Sequence, residues 1–487
     1  MAHLGRASFS DRSGLHSAFI ACLALAAAAI ASPAVYAQNI SPADLTRAVQ
    51  VHELTQRVTQ SLQLWPGFRP DTIPVLYTFP DRGQLITRWR GSLPEGFVEV
   101  AGHPGFGWRI TDTRGATNTS TQLGGRAIAT IVVDDDAIAD QAGIAAHEAF
   151  HAFEHTVQSD AHYMGVVENS FLVTTYPVFD TANLAETALE GKLLAAALRA
   201  TTVDQARTYA RQFSAVRDAR HRRLGAEFSE FENKAELNEG LAEYVQRRVT
   251  AEGEKITPVE RLARELDALT DHFSLSFRLR FYRTGPAMAL LLDRLEGDAW
   301  KKKLTSEKVF LSELVARASG ARDEERYRRS IAMREQQFTS LNTHVAAGLE
   351  QLRALRIARA DSILAVPGIT FVLKATGLNW CGFDPQNLLH ASPTLILHTR
   401  WVRVCGSGLD AQFHAPVVDY RAEKEMRAVI GQLNQITITS EGRAISLQPG
   451  DSIEASDVKF EAPGITGRAA KVRMLRDGNR LIVTPLR

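Results

Sequence analysis

Two histidines and a glutamate within five residues are the part of the sequence best suited to chemistry. His147, Glu148 and His151 stand in the pattern His-Glu-x-x-His. On a helix, residues four apart lie on one face, so both imidazoles can reach a single Zn²⁺ at roughly 2.0–2.1 Å each. Glu148 lies beside them, where its carboxylate can accept a proton from water. The spacing therefore predicts a metal site with an adjacent general base.

The residues around this motif favour a helix. The apolar stretch Ile128–Val133 has the character of a strand, and the three acidic residues Asp134–Asp136 follow it. Carboxylates at this point are predicted to cap the next helix. Ala146, Phe150 and Phe153 can then pack inward, while the two histidines face a cleft. The alternative is a helix with two hydrogen-bonded histidines and no metal.

A catalytic zinc site usually has three protein ligands, so a third must come from elsewhere. The best source is Glu236–Tyr244, which reads Glu-Leu-Asn-Glu-Gly-Leu-Ala-Glu-Tyr. Alternative ligands are Glu190, Glu227, Glu230 and His155.

The two segments together resemble the gluzincin zinc peptidases, and within them the aminopeptidase N-like group with its peptidase MA-like core. That group carries Asn-Glu-Gly-x-Ala-Glu-Tyr on a second helix, and the first Glu is the third zinc ligand. The resemblance implies that Glu239 completes the site and that Glu243 orients a ligand histidine. At helical spacing, Glu232, Glu236, Glu239 and Glu243 could instead form a solvated face, a reading that suits Glu232 best.

A third segment is similar to the same family. Its members carry Tyr-x-Lys-Gly at the start of a later helix, and the tyrosine hydroxyl donates to the oxyanion of the transition state. Here the residues are Tyr282-Arg283-Thr284-Gly285, with Thr284 in place of lysine. The resemblance implies that Tyr282 is catalytic; the alternative is a buried packing tyrosine.

The resemblance covers about residues 120–300, and two departures limit it. In the aminopeptidases the third ligand follows the second histidine much more closely than Glu239 follows His151 here, so a helical insertion is expected. The Gly-x-Met-Glu-Asn segment that binds a substrate N-terminus is missing before the zinc helix. The resemblance therefore implies a zincin fold without aminopeptidase specificity.

The N-terminal segment has the features of a secretory signal peptide. Arg6 and Arg12 precede the apolar stretch Ala18–Ala31, and small residues suit cleavage after Ala37. The alternative is an uncleaved membrane anchor. We expect a secreted or periplasmic bacterial protein, with no transmembrane segment after cleavage, because no later stretch approaches 18 unbroken apolar residues.

Composition and cysteine count narrow the possible functions. Lys plus Arg is 56 and Asp plus Glu is 55, so no basic excess favours nucleic-acid binding. Hydrophobic residues make up 45% and charged residues 23%, which is typical of globular proteins. Cys381 and Cys405 are predicted to form a disulfide in an exported chain, the alternative being two buried thiols.

Hydrophobic patterns predict an α+β chain with a boundary near 360–367. We expect a signal peptide at 1–37, a mixed region at 38–125, a largely helical zincin catalytic domain at 126–360 and a β-rich domain at 367–487. Helical patterns cover 38–64, 183–199, 203–224, 232–249 and 286–296. Strand patterns cover Ile73–Phe79, Phe97–Val100, Ala127–Val133, Ile369–Leu373, Thr394–His398, Ile436–Thr439 and Leu481–Thr484.

The combined expectation is an exported zinc-dependent hydrolase, most simply a metallopeptidase that acts on peptides or proteins. One alternative is a non-catalytic envelope protein that uses a zincin core as a binding scaffold. Another is a zinc hydrolase of a non-peptide substrate, which the motif equally allows.

Overall fold

A computed structural model describes residues 40–113, 116–271, 277–321, 324–374, 376–432 and 435–486. The predicted signal peptide, residues 1–37, lies outside the described residues. Within them the chain is α+β, with a mixed sheet first, then helices, then a second sheet. The change from helix to strand falls between Leu364 and Ile369.

The N-terminal sheet follows one helix, α1 (Pro42–Ser61). Its spatial order is β3-β4-β2-β1-β6-β5, and among the described strand pairs of this sheet only β1 and β6 run parallel. The strands are β1 (Val75–Phe79), β2 (Gly83–Thr87), β3 (Val98–Glu99), β4 (Gly107–Arg109), β5 (Thr119–Leu123) and β6 (Arg126–Val132). Strand β5 therefore forms one edge of this sheet, beside the strand that leads into the next helix.

Helices occupy the middle of the chain. They are α2 (Ile138–Val157), α3 (Thr181–Arg199), α4 (Val203–Leu224), α5 (Ala226–Glu254), α6 (Pro258–Asp267), α7 (Phe281–Glu296), α8 (Ala299–Leu304), α9 (Leu311–Ser319), α10 (Glu325–Glu335) and α11 (Phe338–Leu364). A short 3₁₀ helix, Phe277–Arg280, leads into α7. None of the helices in the described part of the chain is long and apolar enough to cross a bilayer.

The C-terminal sheet is built almost entirely from antiparallel pairs, with β7 and β19 parallel. Its main path runs β16-β15-β17-β18-β19-β7-β14-β13-β10-β9, and β12 joins β18 to β11, which pairs with β8. The strands are β7 (Ile369–Lys374), β8 (Asn379–Phe383), β9 (Leu388–Ser392), β10 (Leu395–His398), β11 (Val402–Gly406), β12 (Leu409–Phe413), β13 (Val417–Tyr420), β14 (Glu425–Ile430), β15 (Thr437–Ser440), β16 (Arg443–Ala444), β17 (Ser452–Ala462), β18 (Ile465–Asp477) and β19 (Arg480–Pro485). Cys381 on β8 and Cys405 on β11 are disulfide-bonded.

The apolar core of this second sheet includes residues from the helices. Phe231 and Ala235 of α5 and Phe281 of α7 pack in the same buried cluster as strand residues such as Phe371 and Phe413. The sheet therefore supports α5 and α7 from one side. A larger cluster joins α1 and the other helices to the N-terminal sheet.

One local expectation is wrong. The carboxylates at Asp134–Asp136 do not cap α2, whose N-cap is Ala137; the Asp134 side chain instead accepts hydrogen bonds from the Asp136 backbone and from Gln141. The helical pattern at 286–296 lies within α7, which begins earlier, at Phe281, and contains Pro286 in its interior.

Candidate metal centre

Helix α2 separates its apolar and its histidine faces. Phe150 is fully buried and its ring contacts Trp65 and Phe68 edge-on, at centroid distances of 5.5 and 5.2 Å. His147 and His151 lie on an adjoining face of the helix, where they line a cleft. The aromatic contacts fix the rotation of α2 about its axis, and this rotation presents both imidazoles to α5.

Glycine allows α5 to cross α2 closely. A Cβ atom on Gly143, one turn before His147, would lie 3.0 Å from the backbone oxygen of Gln246 on α5. Cβ atoms are rarely found so close to other atoms, so this crossing needs a residue without a side chain. Close approach at Gly143 brings the part of α5 that contains Glu239 and Glu243 next to the histidine face.

A second glycine crossing places α7 against α5. Gly240 and Gly285 face each other so closely that a Cβ on Gly285 would lie 2.5 Å from the Cα of Gly240. Glu239 is the neighbour of one glycine, and Tyr282 lies three residues before the other. The crossing therefore brings the glutamate and the tyrosine together.

The donor atoms of His147, His151 and Glu239 converge. The two Nε2 atoms are 3.1 Å apart, and Oε2 of Glu239 lies 3.5 Å from that of His151 and 3.7 Å from that of His147. Ligands at 2.0–2.1 Å from a tetrahedral zinc are separated by about 3.3–3.4 Å. The three side chains therefore fit a zinc ion by distance and by donor chemistry.

Each imidazole has a carboxylate near its other nitrogen. Nδ1 of His151 lies 3.0 Å from Oε2 of the buried Glu154, which leaves Nε2 free to act as a metal ligand. Nδ1 of His147 lies 3.8 Å from Glu243, which is longer than a hydrogen bond, and Glu243 pairs with Arg247 at 2.8 Å. The sequence predicts a role for Glu243 but none was predicted for Glu154. Glu154 follows His151 by three residues on the same helix, and this spacing predicts a contact between the two side chains.

The surroundings of Glu239 favour its ionised form. Burial raises the pKa of its carboxyl group, but the nearby imidazoles of His147 and His151 and the charge of Arg278 lower the pKa well below its ordinary value. An anionic carboxylate is the form that binds a cation. Tyr282 donates a hydrogen bond to Oε2 of Glu239, and its ring stacks parallel to that of His147 at 6.0 Å.

Burial shifts the pKa values of Glu148 and Tyr282. Burial raises the pKa of the Glu148 carboxyl group, and the charges of His147 and His151 partly oppose the increase. Burial, together with the charge of Glu239, also raises the pKa of the Tyr282 hydroxyl, so this group stays protonated. Both side chains line the same cleft as His147, His151 and Glu239.

The cleft of about 770 Å³ extends from His147, His151 and Glu239 to the start of strand β5. Thr119 and Ser120 of β5 line it, and the outer edge of β5 pairs with no other strand in the described ranges. Gln386 and Arg400, which belong to the C-terminal part of the chain, line the cleft as well.

The alternative ligands lie outside the cleft or at its margin. Glu190 is fully buried and binds Arg217 and Arg220 at 2.8 and 2.6 Å. Glu227 is exposed at the start of α5, and Glu230 pairs with Lys234. His155 is exposed and lines the cleft beyond His151.

The acidic stripe on α5 is not a solvated face. Glu232 is fully buried and pairs with Arg220 at 2.6 Å and with Arg280, so the solvent-exposed reading of Glu232 is wrong. Glu236 is buried too, and it accepts hydrogen bonds from Arg217 and from Thr284. Thr284, which stands where the aminopeptidases have lysine, thus ties α7 to α5 one turn from Glu239.

No protein-family model, curated protein or solved structure matches this chain.

Proposed function

We propose that the protein is a zinc-dependent hydrolase of the gluzincin type that cleaves peptide bonds. The observation that carries this proposal is the convergence of His147, His151 and Glu239 at zinc-ligand separations, with Glu148 beside them in the same cleft. A site that only held a structural zinc would be expected to have four protein ligands and no open cleft.

The cleft supports an extended peptide as the substrate. Strand β5 lies at the edge of its sheet, and its backbone can pair with a peptide in the way a further strand would. Thr119 and Ser120 place this edge in the wall of the cleft that also contains the histidines. Pairing along β5 would hold the scissile bond in an extended conformation beside the metal ligands.

Different side chains of the site have different roles in the proposed reaction. Zinc held by His147, His151 and Glu239 would supply an acidified water molecule and polarisation of the scissile carbonyl. Glu148 accepts the proton of the attacking water and passes it to the leaving amine, a task that its raised pKa favours. The protonated Tyr282 hydroxyl donates a hydrogen bond to the carbonyl oxygen as that oxygen gains negative charge.

The proposal predicts that metal binding and hydrolysis can be separated. We expect the wild-type protein to cleave members of a peptide library, and Glu148→Gln to keep its zinc while losing cleavage, because glutamine cannot accept the proton. Glu227→Gln, at the exposed start of α5, is the matched control and should cleave normally.

A wild-type protein that binds zinc but cleaves no peptide, ester or amide would support a binding scaffold instead. Cleavage by Glu148→Gln at the wild-type rate would remove Glu148 from the mechanism.

A further inference from the structure

Arg278 contacts the metal-binding glutamate directly. Its Nη2 donates to Oε1 of Glu239 at 2.6 Å and also to Oε1 of Glu168, and its Nη1 lies 3.3 Å from the Tyr282 hydroxyl. The Arg278 side chain is 8% exposed and that of Glu168 is 1% exposed. These charges are therefore largely removed from water, where hydrogen bonds between ionised groups are short and strong.

The two oxygens of Glu239 are thereby assigned to different partners. Oε1 is held by Arg278, while Oε2 is the atom that faces both imidazoles at 3.5 and 3.7 Å. A carboxylate that was free to rotate could turn either oxygen, or both, toward a metal. The guanidinium limits Glu239 to one ligand atom in one orientation.

The contacts form a closed ring through four side chains. The Asn238 amide donates to Oε2 of Glu168 at 3.1 Å, Glu168 pairs with Arg278, and Arg278 pairs with Glu239, the neighbour of Asn238 on α5. Glu168 belongs to the segment after α2, and Arg278 to the turn before α7. The ring therefore joins α5 to the chain segments next to the helices that bear the histidines and Tyr282.

We infer that Arg278, with Glu168 as its counter-ion, is a positioning residue that sets the zinc affinity of the site by fixing Glu239. The inference rests on the metal site of the proposed function but not on peptide cleavage. Partners of metal ligands typically change metal affinity by 10–100-fold when they are removed.

Zinc titration against a chromophoric chelator tests this role without using activity. We expect Arg278→Ala to raise the zinc dissociation constant by about 10–100-fold, and Arg278→Lys to have a smaller effect, because an ammonium group keeps the charge without the planar fork. Arg283→Ala is the control: this arginine belongs to the same segment, but its nearest carboxylate is Glu265 at 3.7 Å. The zinc dissociation constant of Arg283→Ala should equal that of the wild type.

A second variant covers the case in which Arg278→Ala leaves buried Glu168 uncompensated and does not fold. Arg278→Met with Glu168→Gln removes both buried charges and should show the same loss of zinc affinity with a normal circular dichroism spectrum. In cobalt-substituted protein, release of Glu239 should also change the visible absorption, which depends on the coordination number of the ion.

Two results would overturn the inference in different ways. Equal zinc affinity and an unchanged cobalt spectrum in folded Arg278 variants would refute it and leave the proposed function intact. A wild-type protein without zinc affinity would refute both.

Discussion

Individual side chains of the site differ in how far the sequence could predict them. His147, Glu148 and His151 follow from local spacing, because a helix fixes which residues share a face. Glu154 follows from local spacing too, because it lies three residues after His151 on the same helix. Arg278 cannot be predicted in this way: its partner Glu168 is 110 residues away, and no local pattern links a buried arginine to a carboxylate at that distance.

Tyr282 is the residue whose role a conservative change tests best. If its hydroxyl donates to the developing negative charge, Tyr282→Phe should lower turnover by about 10²–10³-fold. Zinc content and KM should change little, because the hydroxyl acts mainly in the transition state. Steady-state kinetics and metal analysis measure both.

A packing tyrosine would behave differently. Phenylalanine keeps the ring that stacks on His147, so near-normal turnover in Tyr282→Phe would assign the tyrosine to packing alone.

The helices depend on close crossings that sequence patterns only partly reveal. The patterns predict α4 at 203–224, where the structure has it, and they place helices near α3 and α5. They do not predict that Gly240 and Gly285 touch, because this contact joins residues of two different helices. Sequence patterns also cannot distinguish a solvated acidic face from a buried one. Glu232 is buried, where it pairs with Arg220, 12 residues away, and with Arg280, 48 residues away.

Gly285→Ala tests the crossing of α5 and α7. The new Cβ would lie 2.5 Å from the Cα of Gly240, so the helices must separate. We expect a loss of about 1–3 kcal/mol in the free energy of unfolding, as for other overpacked sites. Turnover should fall as Tyr282 moves away from Glu239, while the histidines stay in place. Denaturant unfolding and kinetics measure these effects.

Gly253→Ala is the matched control on α5. Its Cβ would lie 3.1 Å from the Cβ of Ala139 and 3.2 Å from a methyl carbon of Leu54, which are longer distances than the 2.5 Å approach at Gly285. Wild-type stability and turnover in Gly285→Ala would show that the crossing does not position Tyr282.

The chain as a whole combines a helical site region with a C-terminal sheet that supports it. The sequence predicted the change to strands after residue 367 because the hydrophobic period changes there. It could not predict that Phe231 and Phe281 extend the core of the sheet into α5 and α7, since burial between distant segments leaves no periodic signal. Gln386 and Arg400 likewise enter the cleft from a part of the chain far from the motif.

The disulfide between Cys381 and Cys405 should stabilise the sheet without affecting the metal centre. It closes a loop with a sequence separation of 24 residues, for which the loop-entropy account gives about 3 kcal/mol. The double variant Cys381→Ser with Cys405→Ser should lose about this much stability in denaturant unfolding and keep its zinc. In the wild type, intact mass should show the loss of two hydrogen atoms relative to the reduced chain. Two freely alkylated thiols in native protein from an oxidising compartment would contradict the assignment.

Metal content is the most direct test of the proposed function, because every proposed step depends on zinc held by His147, His151 and Glu239. Zinc is measured by elemental analysis in purified wild type, His147→Ala and His155→Ala. His155→Ala is the control, because His155 is an exposed histidine of the same cleft. We predict one zinc per chain in the wild type and in His155→Ala, and none in His147→Ala. Full zinc content in His147→Ala, or no zinc in a folded wild type supplied with the metal, would contradict the account.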